Sequence, residues 1–123
     1  MSKKHLDTFG EILINKVRDV AIHNWDNIID GNMKGQRAKE IREKLSIFND
    51  EQIEVLKDVF PMVVDSTLHH LLRTLEQEDA IELSVEVEQK AKRIRDISDG
   101  LAGELYTEDG WIMRFSNKRY NEM

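Results

Sequence analysis

The sequence predicts a mainly α fold, a bundle of about four helices with a short two-stranded β element near the C-terminus. Three observations carry this expectation. Apolar residues recur at threes and fours over long stretches, the period of one buried helical stripe. Helix-capping and helix-stopping residues punctuate those stretches at the right places. Alternation of apolar and polar residues, the period of a half-buried strand, is confined to a stretch around Ile81–Val87.

The first helix is expected from Leu6 to Asp30. Leu6, Phe9, Leu13, Val17, Val20 and Ile28 form its stripe, widened by Trp25 and Ile29. Gly31 supplies a stop, because glycine accepts the left-handed conformation after a last helical turn. A shorter helix follows at Gln36–Ile47, with Ala38, Ile41 and Leu45 inward. Asn49 then caps a third helix. Gln52 completes a capping box, and Phe48 and Ile53 are spaced as a hydrophobic staple. That helix is expected over Asp50–Glu78, with Leu56, Phe60, Val63, Val64, Leu68, Leu71 and Leu75 on its core face. Pro61 lies inside it and should kink or split it, since proline removes a backbone donor.

Ile81, Leu83, Val85 and Val87 alternate with Glu82, Ser84, Glu86 and Glu88, which favours a strand. Ala80, Leu83, Val87, Ala91 and Ile94 also fit a helix, so both readings stand at this point. Ala91, Ile94, Ile97, Leu101 and Leu105 give a last helix. Gly100 and Gly103 fall inside it, which implies close approach to another element. Residues 107–110 read as a turn. Trp111–Phe115 is expected as a strand pairing with Ile81–Val87, followed by a fraying polar tail from Ser116 to Met123.

Bulk properties bound the function. A chain of 123 residues, 40% of them hydrophobic, fits one domain, residues 1–123, with a core of ordinary size. Cysteine is absent, which excludes disulfides, thiolate zinc sites and a cysteine nucleophile. No apolar run approaches the ~18 residues of a spanning helix, and no signal-peptide stretch follows the basic N-terminus. A cytoplasmic protein with no membrane role is the default. The net charge of −6 argues against nucleic-acid binding through phosphates. No phosphate loop, dinucleotide fingerprint or nucleophile elbow is present, and no cofactor is expected beyond a divalent metal.

Asp65 and His69 are the candidate metal pair. They are four residues apart, on one helical face, where carboxylate and imidazole can hold a divalent ion or orient a general base. Asp58 and Glu76 share nearly that angular line, and His5 and His23 join only if the first helix packs alongside. The plain alternative is a solvated polar face with an i,i+4 pair. Val59, Met62 and Leu72 lie on or near the same side, which points instead to a helix buried all round. Glu40/Glu43, Glu51/Glu54 and Glu76/Asp79 are carboxylate pairs of a kind that holds magnesium in helical nucleotide pyrophosphohydrolases, but they arise readily in so acidic a chain.

Charge is blocked along the sequence. Met33–Phe48 carries five basic and two acidic residues; Glu76–Glu88 carries six acidic residues and no basic one. Glu78, Asp79, Glu82 and Glu86, with Asp109 and Trp111 from a glycine- and aromatic-rich segment, are the candidate residues for a protein partner of basic character. That reading needs at least three of the acidic side chains exposed together without a basic neighbour. The alternative for Trp111, with Phe115, is a cap on the bundle core.

The segment Ser98–Ser116, together with Leu68–Glu76 upstream, resembles a family of small bacterial proteins of unknown function. The resemblance covers about the last half of the chain and implies no activity or site residue. Two functions are therefore in play: a small acidic protein-binding domain, a partner or inhibitor of another protein or a homo-oligomer, and a metal-assisted hydrolase using Asp65 and His69.

Overall fold

The computed structural model describes residues 2–117 and is mainly helical, with one short antiparallel hairpin. The N-terminal rod is continuous but not uniform. Helix α1 (Ser2–Leu13) passes through a π turn (Ile14–Arg18) into α2 (Asp19–Ile29). A π turn holds one residue more than an α turn, so every later side chain is displaced by about one residue around the axis. The expected stripe, regained half-buried at Trp25, Ile28 and Ile29, therefore breaks after Leu13. Beyond it, Val17 and Val20 face solvent, and Ile14, Arg18 and Ile22 take the buried side. The sequence expectation assumed an uninterrupted α period, and the extra residue overturns it.

The end of α2 is as expected. Gly31 adopts φ +83°, its N–H bonds the Ile28 carbonyl, and the Asn32 N–H bonds the Asn27 carbonyl. This is a Schellman closure, and it satisfies carbonyls the helix end leaves open. Helix α3 (Gln36–Leu45) buries Ala38 and holds Ile41 and Leu45 half-buried.

Helix α4 (Asp50–Gln77) begins on the expected capping box. Asn49 Oδ1 accepts from the Gln52 N–H at 2.9 Å, and Gln52 Oε1 accepts from the Asn49 N–H at 2.8 Å. Pro61 does not split the helix, which runs unbroken across it. The buried side of α4 is rotated from the expectation. Pro61, Leu68 and Leu72 are buried, whereas Val63 and Leu71 are exposed. Leu72 is thus core, and α4 is not buried all round.

The C-terminal third departs most from expectation. Strand β1 (Ser84–Val87) pairs not with Trp111–Phe115 but with β2 (Lys90–Arg93), Ser84 opposite Arg93 and Val87 opposite Lys90. The two-residue turn uses Glu88 and Gln89, both at positive φ (54° and 67°). Such a hairpin turn usually carries asparagine and glycine, and Glu88-Gln89 carries no such local signal. The expected helix over Ala91–Leu105 is replaced by β2, a single turn α5 (Ile94–Ile97) and a 3₁₀ turn (Leu101–Leu105). Gly100 and Gly103 accordingly lie outside any α-helix, and a Cβ at either would meet nothing within 4 Å, so no close approach explains them. Trp111–Phe115 is a short helix, α6. Ser116, expected in a frayed tail, is buried; the rest of that tail beyond Asn117 lies outside the described residues.

These pieces enclose one apolar cluster. Leu13 and Ile14, Leu68 and Leu72, and Ile94, Leu101, Leu105, Trp111 and Ile112 pack together. Trp111 is 1% exposed and lies against Gly10, where an added Cβ would collide with the indole; Phe9 meets it edge-on at 5.6 Å. The buried His5 imidazole nitrogen contacts the Lys90 carbonyl at 2.8 Å and ties the hairpin to α1. Among the described residues no helix is long and apolar enough to cross a membrane.

Candidate interaction surface

The rotation imposed by the π turn delivers Arg18, fully buried, to the junction of α2 with α4. Its guanidinium meets Asp65 with two nitrogens. Nε donates to Oδ1 at 2.6 Å and a terminal nitrogen to Oδ2 at 3.3 Å. The other terminal nitrogen donates to Asp19 Oδ1 at 3.1 Å and to Ser116 Oγ at 3.0 Å. Ser116 in turn donates to Asp19, and so does the Asn117 N–H at 2.7 Å. Helix α2, helix α4 and the C-terminal segment are thereby tied at one buried point. A forked guanidinium–carboxylate contact is the strong form of such a pair, and burial makes each partner costly to leave alone.

This arrangement redefines the candidate metal pair. Asp65 and His69 do not face each other as an isolated couple. Asp65 offers both oxygens to Arg18, and His69 Nδ1 lies 3.3 Å from the Tyr106 hydroxyl. Burial, and secondarily the Asp65 charge, push the Tyr106 hydroxyl pKa up. A fixed cation against the carboxylate repels a second cation there. Among the described residues no three His, Asp or Glu side chains gather in a metal-holding group. His5 is engaged with the hairpin, and His23 contacts Asn27 at 3.1 Å. Glu76 and Asp79 are drawn apart, Glu76 accepting from the Leu101 N–H and Asp79 from Arg95.

The acidic segment is similarly divided. Asp79 pairs with Arg95 at 3.1 Å, Glu82 lies 3.8 Å from Arg93, and Glu88 pairs with Lys4, which lowers its carboxyl pKa. Glu76, Glu78 and Glu86 are the three without an ion pair among the described residues, and of these Glu76 is half-buried and accepts from the Leu101 N–H. Charge blocked in sequence is interspersed in space, and the condition of three exposed acids free of basic neighbours is not met. Of the two readings of Trp111, a partner-surface residue or a cap on the bundle core, the second holds: it is core, and its indole fills the space left by Gly10. Asp109 is exposed.

The surface that stands out is one not selected from the sequence. Val55, Val59, Met62 and Val63 are 59%, 39%, 52% and 55% exposed. At ~100° per residue they fall within one third of the circumference of α4, opposite Pro61 and Leu68. Single exposed apolar residues are ordinary, but four large ones contiguous on a helix face are not. The signal was visible in part, since Val59 and Met62 fell on the side otherwise read as polar. With Leu72 they point to burial all round, and the structure shows Val59 and Met62 exposed instead. A second exposed trio, Ile12, Val17 and Val20, lies within and on either side of the π turn and is interrupted by the exposed Lys16.

No protein-family model, curated protein or solved structure matches this chain.

Proposed function

We propose that this chain is a non-catalytic protein-binding domain, and that the outer face of α4 is its recognition surface. The observation that carries the reading is the row of exposed Val55, Val59, Met62 and Val63 on a helix whose opposite side is already satisfied by the core. An amphipathic partner element laid along that row would remove four large apolar side chains from water, the usual driving term of helix-on-surface recognition. The acidic segment contributes little to this reading, because most of its carboxylates are engaged within the chain.

The test is a pull-down from a native extract with wild-type and Val59→Glu/Val63→Glu baits. Both substitutions lie on the exposed side, so the far-ultraviolet circular dichroism should be unchanged. Loss of a specific partner from the double variant supports the surface. A partner retained equally by both baits places recognition elsewhere and overturns the reading.

A further inference from the structure

We infer that the occupant of the α4 outer face is a second copy of this chain, packed antiparallel about a twofold axis at Met62. The inference rests on the protein-binding reading and names its partner. The outer face is written in steps of four, four and three: Glu51, Val55, Val59, Met62, then Ser66, His70 and Arg73. Glu51, Met62 and Arg73 are spaced by eleven residues. An eleven-residue period is 3.67 residues per turn, close to the natural 3.6, so this seam runs almost straight along the helix. Two straight helices can therefore meet along it over several turns.

Charge selects the direction and the register. Glu51 and Arg73 stand at opposite ends of the seam and equally far from Met62. Both are exposed, and neither makes an ion pair among the described residues. A parallel pair of helices would set Glu51 against Glu51 and Arg73 against Arg73. The antiparallel pair sets each Glu51 beside the other copy's Arg73, twice by symmetry, and opposes the two helix dipoles. The same twofold brings Met62 against Met62 at the centre, with Val59 and Val63 alongside. Methionine is flexible and polarizable, suited to meeting its own copy on an axis. Each copy carries a net charge of −6, which opposes association. At physiological salt, however, charges more than about 8 Å from the seam are largely screened, leaving the paired ends to decide.

Sedimentation equilibrium of the purified full chain over a micromolar to millimolar range tests this. The expected mass rises with concentration from 14.4 kDa toward twice that value. Met62→Glu, which places two carboxylates on the axis, should remain monomeric throughout. Glu51→Arg and Arg73→Glu should each weaken the dimer about tenfold, and the two together should recover most of the loss, as expected of a directly coupled pair. Recovery in the double variant also excludes misfolding as the cause of the single losses. Because the chain has no cysteine, Met62→Cys should cross-link on oxidation, whereas Arg73→Cys should not. A wild-type protein monomeric at every concentration, a dimer indifferent to Met62→Glu, or charge reversals that fail to compensate would overturn the proposal. If the protein is monomeric yet Val59→Glu/Val63→Glu still abolishes capture of a partner from extract, self-pairing fails and the recognition surface survives. If capture is also indifferent, both fail.

Discussion

The two halves of α4 use similar residues to opposite effect. In the C-terminal half, Leu68 and Leu72 lie beneath the 3₁₀ turn and α6 and are shut off from water. In the N-terminal half, the inward side meets α2, where Pro61 is buried and Phe60 and Trp25 meet at 5.0 Å between ring centroids, while Val55, Val59 and Met62 stand outside. The contrast shows that apolar content alone does not make a core. What distinguishes the halves is the segment 94–115, folded over one and not the other. Stability should accordingly be concentrated in the covered half and recognition in the open one.

The largest expected effect lies where the halves meet. Arg18→Ala would leave Asp65 and Asp19 without their buried cation, and loss of one partner of such a cluster costs about 3–5 kcal/mol. Urea denaturation followed by circular dichroism would measure it. A loss below ~1 kcal/mol would mean that the junction is not the tie between the halves. Leu72→Ala should follow, at about 2–5 kcal/mol, because it removes a fully buried side chain from a packed cluster. Asn49→Ala is expected to cost about 1 kcal/mol, since it orphans the Gln52 N–H at the start of the open half. The smallest effect belongs to Val59→Ala, within about 0.5 kcal/mol for an exposed site. Measured on the dilute protein, a Val59→Ala loss equal to that of Leu72→Ala would erase the distinction between the halves.

Legibility in the sequence followed the range of the interactions. The cap at Asn49 and the stop at Gly31 are decided by neighbours within a few residues, and both were readable. The mainly α class and the presence of a short two-stranded β element were readable too, because periodicity survives averaging over long windows. The partner of β1 was not. Ala91, Ile94, Ile97, Leu101 and Leu105 have helical spacing, yet contacts with α1 and α4 set their conformation. The burial of Arg18 was equally hidden. It depends on a π turn whose residues, Ile14 to Arg18, carry no compositional mark, and on Asp65, Asp19 and Ser116 converging from distant positions. The candidate site is half visible in the sequence: Asp65 stands out for its chemistry, but its counter-ion lies 47 positions away in the chain.

The π turn leaves the N-terminal rod with a spare residue. An ordinary helix that loses one residue twists everything downstream by ~100° and tears its far contacts. Here the sides used before Leu13 and after Arg18 would come into line on a plain α path one residue shorter. Deletion of a single residue between Ile14 and Arg18, provided Arg18 itself is kept, would let the rod relax to regular α geometry while Phe9 still meets Trp111 and Trp25 still meets Phe60. The middle of this helix, usually the last place where a chain tolerates a change of length, is the place where this chain has one to give.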